Sequence, residues 1–591
     1  MILQALVGYY ERLSNDPSVD IAPRGFERKA IDFLIVIDSD GHFVDLLDSR
    51  EGTGRQRRGR PTLVPKAVKR TSGVAANLLW DTAPYVLGTI LPKDRKDPKK
   101  DPKGARRQLE NVPKQHDAFI RRIRETFQDC DDPGILAVLR FLTCGETAAV
   151  MSHPTWKEIE KNGGNLSFML AGDSQLICQR PGVTAAFLAS EERAEEQQVC
   201  LVTGRQDVPA KIHAPIKGVL GAKESGGNIV SFNLDAFRSF GKGQGLNAPI
   251  GSRAEFAYTT ALNYLLASDR QRIQVGDAST VFWATEPCDL EDDFYALIGQ
   301  PRKGEEAQSY ERIRSLLSAV RTGIPPDEAA VGFYVLGLAP NAARLAVRFW
   351  YEGNVKEIKE RIARHFSDLE IVRAPFDPEF LSLSQLLLST AVEHKEKNIP
   401  PNVGGELARA VFVGQPYPRT LFANAIRRCK AERKIGFARA AIIKGFLARA
   451  ARLSGTTDKE VSVALDREYD NIGYVLGRLF AVLERIQEQA HDGSLNKTIR
   501  DTYFGAATSS PLVTFRRLQD LAIHHLAKVR NSGKSPAWLE KLLGEIYNLL
   551  PPAGIPTILP LDDQGRFAIG YYHQRQSFFA GRETEDEGGE A

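Results

Sequence analysis

Between Arg55 and Arg70 the chain places seven basic residues (Arg55, Arg57, Arg58, Arg60, Lys66, Lys69 and Arg70) and no acidic one. Thr71, Ser72 and Gly73 follow directly, and Asn77 comes shortly after. The chemistry this pattern serves is capture of a polyanion. A guanidinium offers a planar fork of donors that fits phosphate, and several cations docking together release counterions. Hydroxyl groups, amide side chains and backbone N–H groups add short directional contacts to phosphates or base edges. The net charge is only +4, so the inference rests on where the charges sit. A second concentration lies at 427–452. There Arg427, Arg428, Lys430, Arg433, Lys434, Arg439, Lys444, Arg449 and Arg452 stand against one acid, Glu432. A third set follows: Arg478, Arg485, Lys497, Arg500, Arg516, Arg517, Lys528 and Arg530. The bland alternative is a solvated helix face, but glutamates usually interleave there, and at 427–452 they almost do not.

Catalytic patterns are thin by comparison. Gly533-Lys534-Ser535 imitates the end of a phosphate-binding loop, but Lys528 occupies the place of its first glycine, and a helix rather than a strand precedes it. His116-Asp117 and His491-Asp492 are the only echo of a metal-dependent phosphohydrolase, and no companion cluster of ligands is present. His524 and His525 are adjacent and fall on different sides of a helix, whereas a chelating pair needs i, i+4 spacing. Asp38, Asp40 and Asp45 lack the later glutamate of a calcium loop. There is no nucleophile elbow, and "GKGQG" at 241–245 does not have dinucleotide-loop spacing. The reading is a binding protein with no metal and no cofactor.

The elements that must position these residues can be read from periodicity and turn chemistry. An apolar stripe (Ile2, Leu3, Leu6, Val7, Tyr10, Leu13) predicts an N-terminal helix. Two β-rich runs, 31–37 and 42–47, flank Ser39-Asp40-Gly41 and predict a hairpin. The charged, Pro-rich stretch 93–107 reads as a mobile basic surface loop. A glycine-rich passage spans 216–251, and a helix follows it. Residues 332–353 read as two strands around Pro340-Asn341, with an amphipathic helix from about Val355. Beyond about 375 strand signals fade and long helical patterns dominate. The expected fold class is α+β. An irregular N-terminal region (1–375) with antiparallel or mixed strands precedes an all-α helical bundle (376–580) and a disordered acidic tail (581–591).

The chain has 591 residues, more than one hydrophobic core usually serves. Its six cysteines form no C-x-x-C pair and no zinc spacing. The N-terminus lacks a basic n-region and a cleavage site, and no window reaches the roughly 18 apolar residues of a membrane span. The expectation is a cytoplasmic protein with no membrane partner.

Taken in order, "MILQALVGYYERL", "FLIVIDSDGHFVDLLDSRE", "LVPKAVKRTSGVAANLLWDTAPYVLG", "GNIVSFNLDAFRSFGKGQGLNAPI", "EFAYTTALNYLL" and "VLGLAPNAARLAVRFWYEG" resemble the large subunit of the type I-C CRISPR Cascade surveillance complex. The resemblance covers about the first 355 residues; the helical half carries weaker motifs. It implies a non-catalytic subunit that caps one end of a crRNA-guided complex. Such a subunit recognises the protospacer-adjacent motif on double-stranded DNA, helps wedge the duplex open and holds the displaced strand. Its implied partners are crRNA, target DNA, the backbone and crRNA-processing subunits, small subunits and a helicase-nuclease.

On this reading Lys69, Arg70, Thr71, Ser72 and Asn77 form the motif-reading loop, largely from the minor groove, where the base code is degenerate. Ser225, Asn228, Gln244 and Asn247 form a second DNA or wedge loop. Arg55, Arg57, Arg58, Lys66, Arg427, Arg428, Arg433, Arg439, Lys497, Arg500, Arg516 and Arg517 hold phosphates. The resemblance also implies small subunits made by internal initiation within this gene. The only methionines are Met1, Met151 and Met169, so such a start requires a non-AUG codon near 461–476. Two rival readings stay open: a metal-dependent nuclease acting alone, and a scaffold that binds only proteins and crRNA. The structural alternative for both loops is irregular backbone packed on the core.

Overall fold

The computed structural model describes residues 1–52, 57–68, 70, 74–192, 197–301, 303–455, 461–491 and 495–586. The chain divides into two compact units. The smaller comprises Tyr10–Ala214 and Val230–Ala261; the larger comprises Met1–Tyr9, Pro215–Ile229 and Leu262–Ala591.

In the smaller unit the strands are β1 (Phe26–Ile31), β2 (Phe33–Ile37), β3 (Phe43–Asp48), β4 (Arg50–Glu51), β5 (Arg58–Pro65), β6 (Trp80–Thr82), β7 (Asn165–Leu170), β8 (Gln198–Val199) and β9 (Gln206–Asp207). One sheet has the order β3-β2-β7-β6 and a second the order β1-β5-β4, while β8 and β9 pair alone. β2 runs antiparallel to β3 and parallel to β7, so the first sheet is mixed. β2 reads FLIVI because it has a neighbour on both edges; Phe33, Ile35 and Ile37 are completely buried. The β2–β3 hairpin forms around Asp38, whose carboxylate accepts the N–H groups of Asp40 (3.0 Å) and His42 (2.9 Å). Helices Pro102–Thr126 and Pro133–Thr143 cover the mixed sheet, with Phe119 and Phe141 packed on Phe168 of β7.

The stretch 93–107 is not one long loop. A 3-10 turn covers Pro92–Asp94, and the helix Pro102–Thr126 begins inside the charged run. The side chain of Asp101 accepts the N–H of Gly104 at 2.8 Å, and Pro102 takes the first helical position. An acidic N-cap followed by proline is a helix start, and the surrounding lysines conceal it.

The larger unit holds an antiparallel sheet in the order β10-β11-β12-β13, where β10 is Arg272–Val275, β11 Ala278–Ala284, β12 Gly332–Asn341 and β13 Arg344–Asn354. The β12–β13 turn lies at Ala342, two residues beyond the expected place, with φ +54°. β11 is buried along its whole length. Its Phe282 stacks with Phe333 and meets Phe294 at a tilt, while Trp283 meets Tyr9, Tyr334 and Trp350.

After the helix Val355–Leu369 the described residues form only helices and turns. The helices Ile472–Ala490 and Leu561–Asp586 pack along each other. They cross closely because Gly477 has no side chain: a Cβ there would stand 2.0 Å from the Phe567 carbonyl oxygen. The fold class is therefore α+β as expected, but no boundary falls at 375. Phe412 contacts the rings of Phe294 and Phe349, so sheet and helices share one continuous apolar core. Helix also continues to Asp586, into the stretch expected to be a disordered tail; 587–591 lie outside the described residues. No helix among the described residues is long and apolar enough to cross a membrane.

Candidate nucleic-acid interface

The opening basic stretch folds as strand β5 followed by a loop that returns at β6. Both feet of this loop are fastened. The indole N–H of Trp80 donates to the Pro65 carbonyl at 2.7 Å, and Ser167 Oγ donates to the Leu79 carbonyl at 3.0 Å. The centre of the fastening is Asp81, which is 1% exposed. Its carboxylate accepts the N–H of Asn77 (2.9 Å) and of Thr82 (2.8 Å) and pairs with the Arg70 guanidinium. Arg70 also donates to the Ala75 carbonyl at 2.7 Å and lies 4.1 Å from the centre of the Tyr85 ring.

These facts correct two expectations. Asn77 is buried, and its side-chain carbonyl accepts the Val68 N–H at 3.0 Å; it shapes the loop rather than reaching into a groove. Arg70 is the strut that closes the loop on itself, because a buried carboxylate requires a cation beside it. Arg55, Lys69, Thr71 and Ser72 lie outside the described residues.

Lys66 is a strut as well. Its ammonium stands 3.4 Å from Glu255 and 5.4 Å from the centre of the Phe256 ring. Glu255 is buried and also accepts the Ala214 N–H at 2.5 Å. One carboxylate thus ties the foot of the 66–79 loop to the 210–214 segment, whose Lys211 carbonyl accepts the Gly245 N–H at 3.1 Å. Glu255→Ala is expected to speed amide exchange at Ala214 and Gly245 about tenfold, the loss of one buried hydrogen bond. Exchange at the parental rate would show that the tie carries no load. Along β5 the exposed cations are Arg57, Arg58 and Arg60. Arg57 pairs with Asp48 at 3.2 Å. Arg60 lines a groove of about 390 Å³ with Arg28, Ser49, Thr62 and Gln179.

The glycine-rich passage does not form one loop. Ser225 and Asn228 belong to the larger unit, Gln244 and Asn247 to the smaller. Ser225 is exposed. The Asn228 carbonyl accepts the Leu345 N–H at 3.0 Å, which lays Asn228 along strand β13. Asn247 braces its own loop: its side chain accepts the Ser239 N–H (2.9 Å) and donates to the carbonyls of Lys242 (3.1 Å) and Gln244 (2.8 Å).

At the tip of that braced loop stands Phe240, 97% exposed. Its φ is +50°, Gly241 follows at +70° and Gln244 sits at +45°. A phenylalanine held in the left-handed region and turned into water is costly twice over, in backbone strain and in exposed apolar area. Exposed Arg238, Lys242 and Gln244 flank it. Sequence reasoning assigned Asn247 to DNA, whereas its side chain is spent on its own loop, and it did not single out Phe240. The available signal was an aromatic set between glycine and basic residues, "RSFGKGQG".

The concentration at 427–452 divides, with Arg439, Lys444 and Arg449 buried. Arg439 is 4% exposed and pairs with Glu432 at 2.5 Å, and Arg428 pairs with the same carboxylate at 2.6 Å. Arg449 and Arg452 both bind Asp368, at 2.7 and 2.6 Å. Buried Lys444 donates to the Ser367 carbonyl. Lys430 donates to Ser509 and Gln564, and burial pushes its ammonium pKa down. Arg439 and Arg428 are therefore corrected from phosphate contacts to structural ions. Arg427, Arg433 and Lys434 remain exposed. Farther on, Arg478 is buried against Gln574. Arg500 lies 3.7 Å from the fully buried Glu484, which makes it a structural ion as well. Lys497, Arg516 and Arg517 are exposed, and Arg517 donates to the Tyr503 hydroxyl at 2.9 Å.

Among the described residues neither His116 nor His491 belongs to a metal-binding cluster. His116 pairs with the Tyr85 carbonyl, and His491 with the Gln487 carbonyl and, edge-on, the His525 ring; Asp492 lies outside the described residues. Gly533-Lys534-Ser535 lies between two helices. Among the described residues no three His, Cys, Asp or Glu side chains are placed to hold a metal ion. A family model described as CRISPR-associated protein (Cas_Csd1) matches residues 6–579. No curated protein matches the chain.

Proposed function

This chain belongs to the CRISPR-associated protein (Cas_Csd1) family, and we propose that it is the non-catalytic large subunit of a type I-C crRNA-guided complex. In that role it recognises the protospacer-adjacent motif in duplex DNA, starts strand separation and supports the opened strands. Guide pairing reads the rest of the target, so the protein needs only a short motif and contacts to the backbone. Its partners on this reading are crRNA, target DNA, the backbone and crRNA-processing subunits, small subunits and a helicase-nuclease.

The observation that carries the reading is Phe240. An apolar side chain pushed between base steps unstacks them at a cost of a few kcal/mol, and flanking cations hold the phosphates while it does so. A ring 97% exposed on a braced loop, beside Arg238 and Lys242, has that form. The 66–79 loop of the same compact unit is the second support. Its feet are fixed by Asp81, and Lys69, Thr71 and Ser72, outside the described residues, are the residues assigned to the motif on this reading.

The test uses the assembled complex and a duplex carrying a fluorescent base analogue beside the motif. Phe240→Ala is expected to open the duplex about tenfold more slowly while binding remains motif-dependent, and Phe240→Leu is expected to recover most of the rate. Parental opening by Phe240→Ala would remove the wedge from this loop. In the same assay Thr71→Ala should narrow discrimination between targets with and without the motif. Lys69→Ala should weaken both targets and flatten the salt dependence.

A further inference from the structure

We propose that Phe376 and the groove beside it form a docking site for a partner protein segment that carries an apolar anchor flanked by carboxylates. The inference rests on the reading that the chain works within a multi-subunit complex, and it assigns a surface that reading leaves unplaced. Phe376 is 89% exposed. Its position is prepared: the Asp377 carboxylate accepts the Ala374 N–H at 3.1 Å, the Asp377 N–H returns to the Ala374 carbonyl at 3.0 Å, and Arg373 donates to the Asp377 carbonyl at 3.1 Å. Pro375 and Pro378 stiffen either side. A loop backbone already held in place loses little freedom on binding.

The same loop lines a groove of about 490 Å³. Phe366 and Phe380, edge to face at 5.3 Å, supply aromatic walls, and Leu317, Phe437 and Val463 complete the apolar lining. At the rim Glu379 is already spent on Arg314 in a two-point contact at 2.8 and 2.5 Å. Arg321 and Arg373 form no ion pair among the described residues, and the remaining carboxylate in the lining is Glu370. The uncommitted rim charge is therefore positive. An aromatic knob, an apolar groove and arginines outside any ion pair are the composition of an interface hot spot. The occupant that completes them carries acidic residues around an apolar side chain.

The experiment titrates the full chain into the complex assembled from its other subunits and reads occupancy by native mass spectrometry. Hydrogen exchange of 373–381 is followed in the free chain and in the complex. Phe376→Ala and Arg321→Glu are each expected to weaken incorporation about tenfold or more. The Arg321→Glu effect should shrink at high salt, and the loop amides should become protected on assembly. The thermal midpoint of each free variant should match the parent. Parental incorporation by both variants, with no protection of the loop, overturns the proposal. So does concentration-dependent self-association of the free chain that Phe376→Ala abolishes, because the face would then belong to a second copy. If the parent itself joins no complex, the proposed function fails and takes this inference with it; failure confined to the unprotected loop leaves that function standing.

Discussion

Replacing Asp368 by alanine lowers the stability of the larger unit by about 3–5 kcal/mol, the usual cost of stripping one partner from a buried ion cluster. Asp368 is 3% exposed, and both its oxygens are used: Arg449 donates at 2.7 Å, Arg452 at 2.6 and 2.9 Å. Arg449 is 2% exposed and reaches no water when its carboxylate is gone. Its Nη1 donates to the carbonyls of Ala410 and Gln415, and its guanidinium lies 4.1 Å from the centre of the Tyr417 ring. Burial, helped by Arg449, holds His365 beside them down to about 3. Its ring is therefore neutral at pH 7, and since protonation would only make it a second cation, it offers Arg449 no counter-charge in either state. Chemical denaturation should show the loss as a lower midpoint with an unchanged slope. The companion variant Asp368→Leu/Arg449→Met should regain much of it, since a well-packed apolar replacement escapes the desolvation penalty. A loss below about 1 kcal/mol for Asp368→Ala would mean the cluster is solvated and structurally minor.

Asp81→Ala should cost about 2–4 kcal/mol and, on the proposed function, abolish motif discrimination while leaving general DNA affinity largely intact. The stability term comes from the two N–H groups, of Asn77 and Thr82, that lose their acceptor in a buried site. Arg70 adds less, because a third of its side chain already meets water. The functional term comes from geometry. Without the carboxylate, Arg70 no longer closes the loop, and the segment between Arg70 and Ala75 loses its fixed feet. Asp81→Asn should fall between parent and Asp81→Ala, because an amide keeps one acceptor but gives up the charge. Denaturant titration reads the first term. Binding to targets with and without the motif reads the second; full discrimination by a destabilised Asp81→Ala chain would separate this loop from motif reading.

Local rules carried much of the architecture. Asp40-Gly41 between two β-rich runs announced the β2–β3 hairpin, because tight turns need residues that accept positive φ. The helix from Val355 followed from its amphipathic stripe, and the structure adds the Asn354 cap, whose side chain accepts the Glu357 N–H at 2.8 Å. The α+β class was legible for the same reason: period and turn chemistry depend on neighbours within a few residues. The start of the Pro102–Thr126 helix was equally local but hidden, since its capping Asp101 was counted as one more charge in a charged loop.

What the amino-acid sequence by itself determined was therefore the kind of elements, their order and the places where positive charge collects. Which charges face water was decided only by the tertiary structure. Arg449 looks like part of a cationic face until Asp368, 81 residues earlier, arrives beside it. Arg439 and Arg428 look free until Glu432 turns out to serve both. Asn77 looks like a base reader until Val68 uses its carbonyl. That Phe240 stands in solvent on a loop braced by Asn247 is likewise visible only in the fold. The physical reason is the same in each case. Burial and charge pairing are relations between groups far apart in the chain, and a linear sequence records the groups without the distances between them.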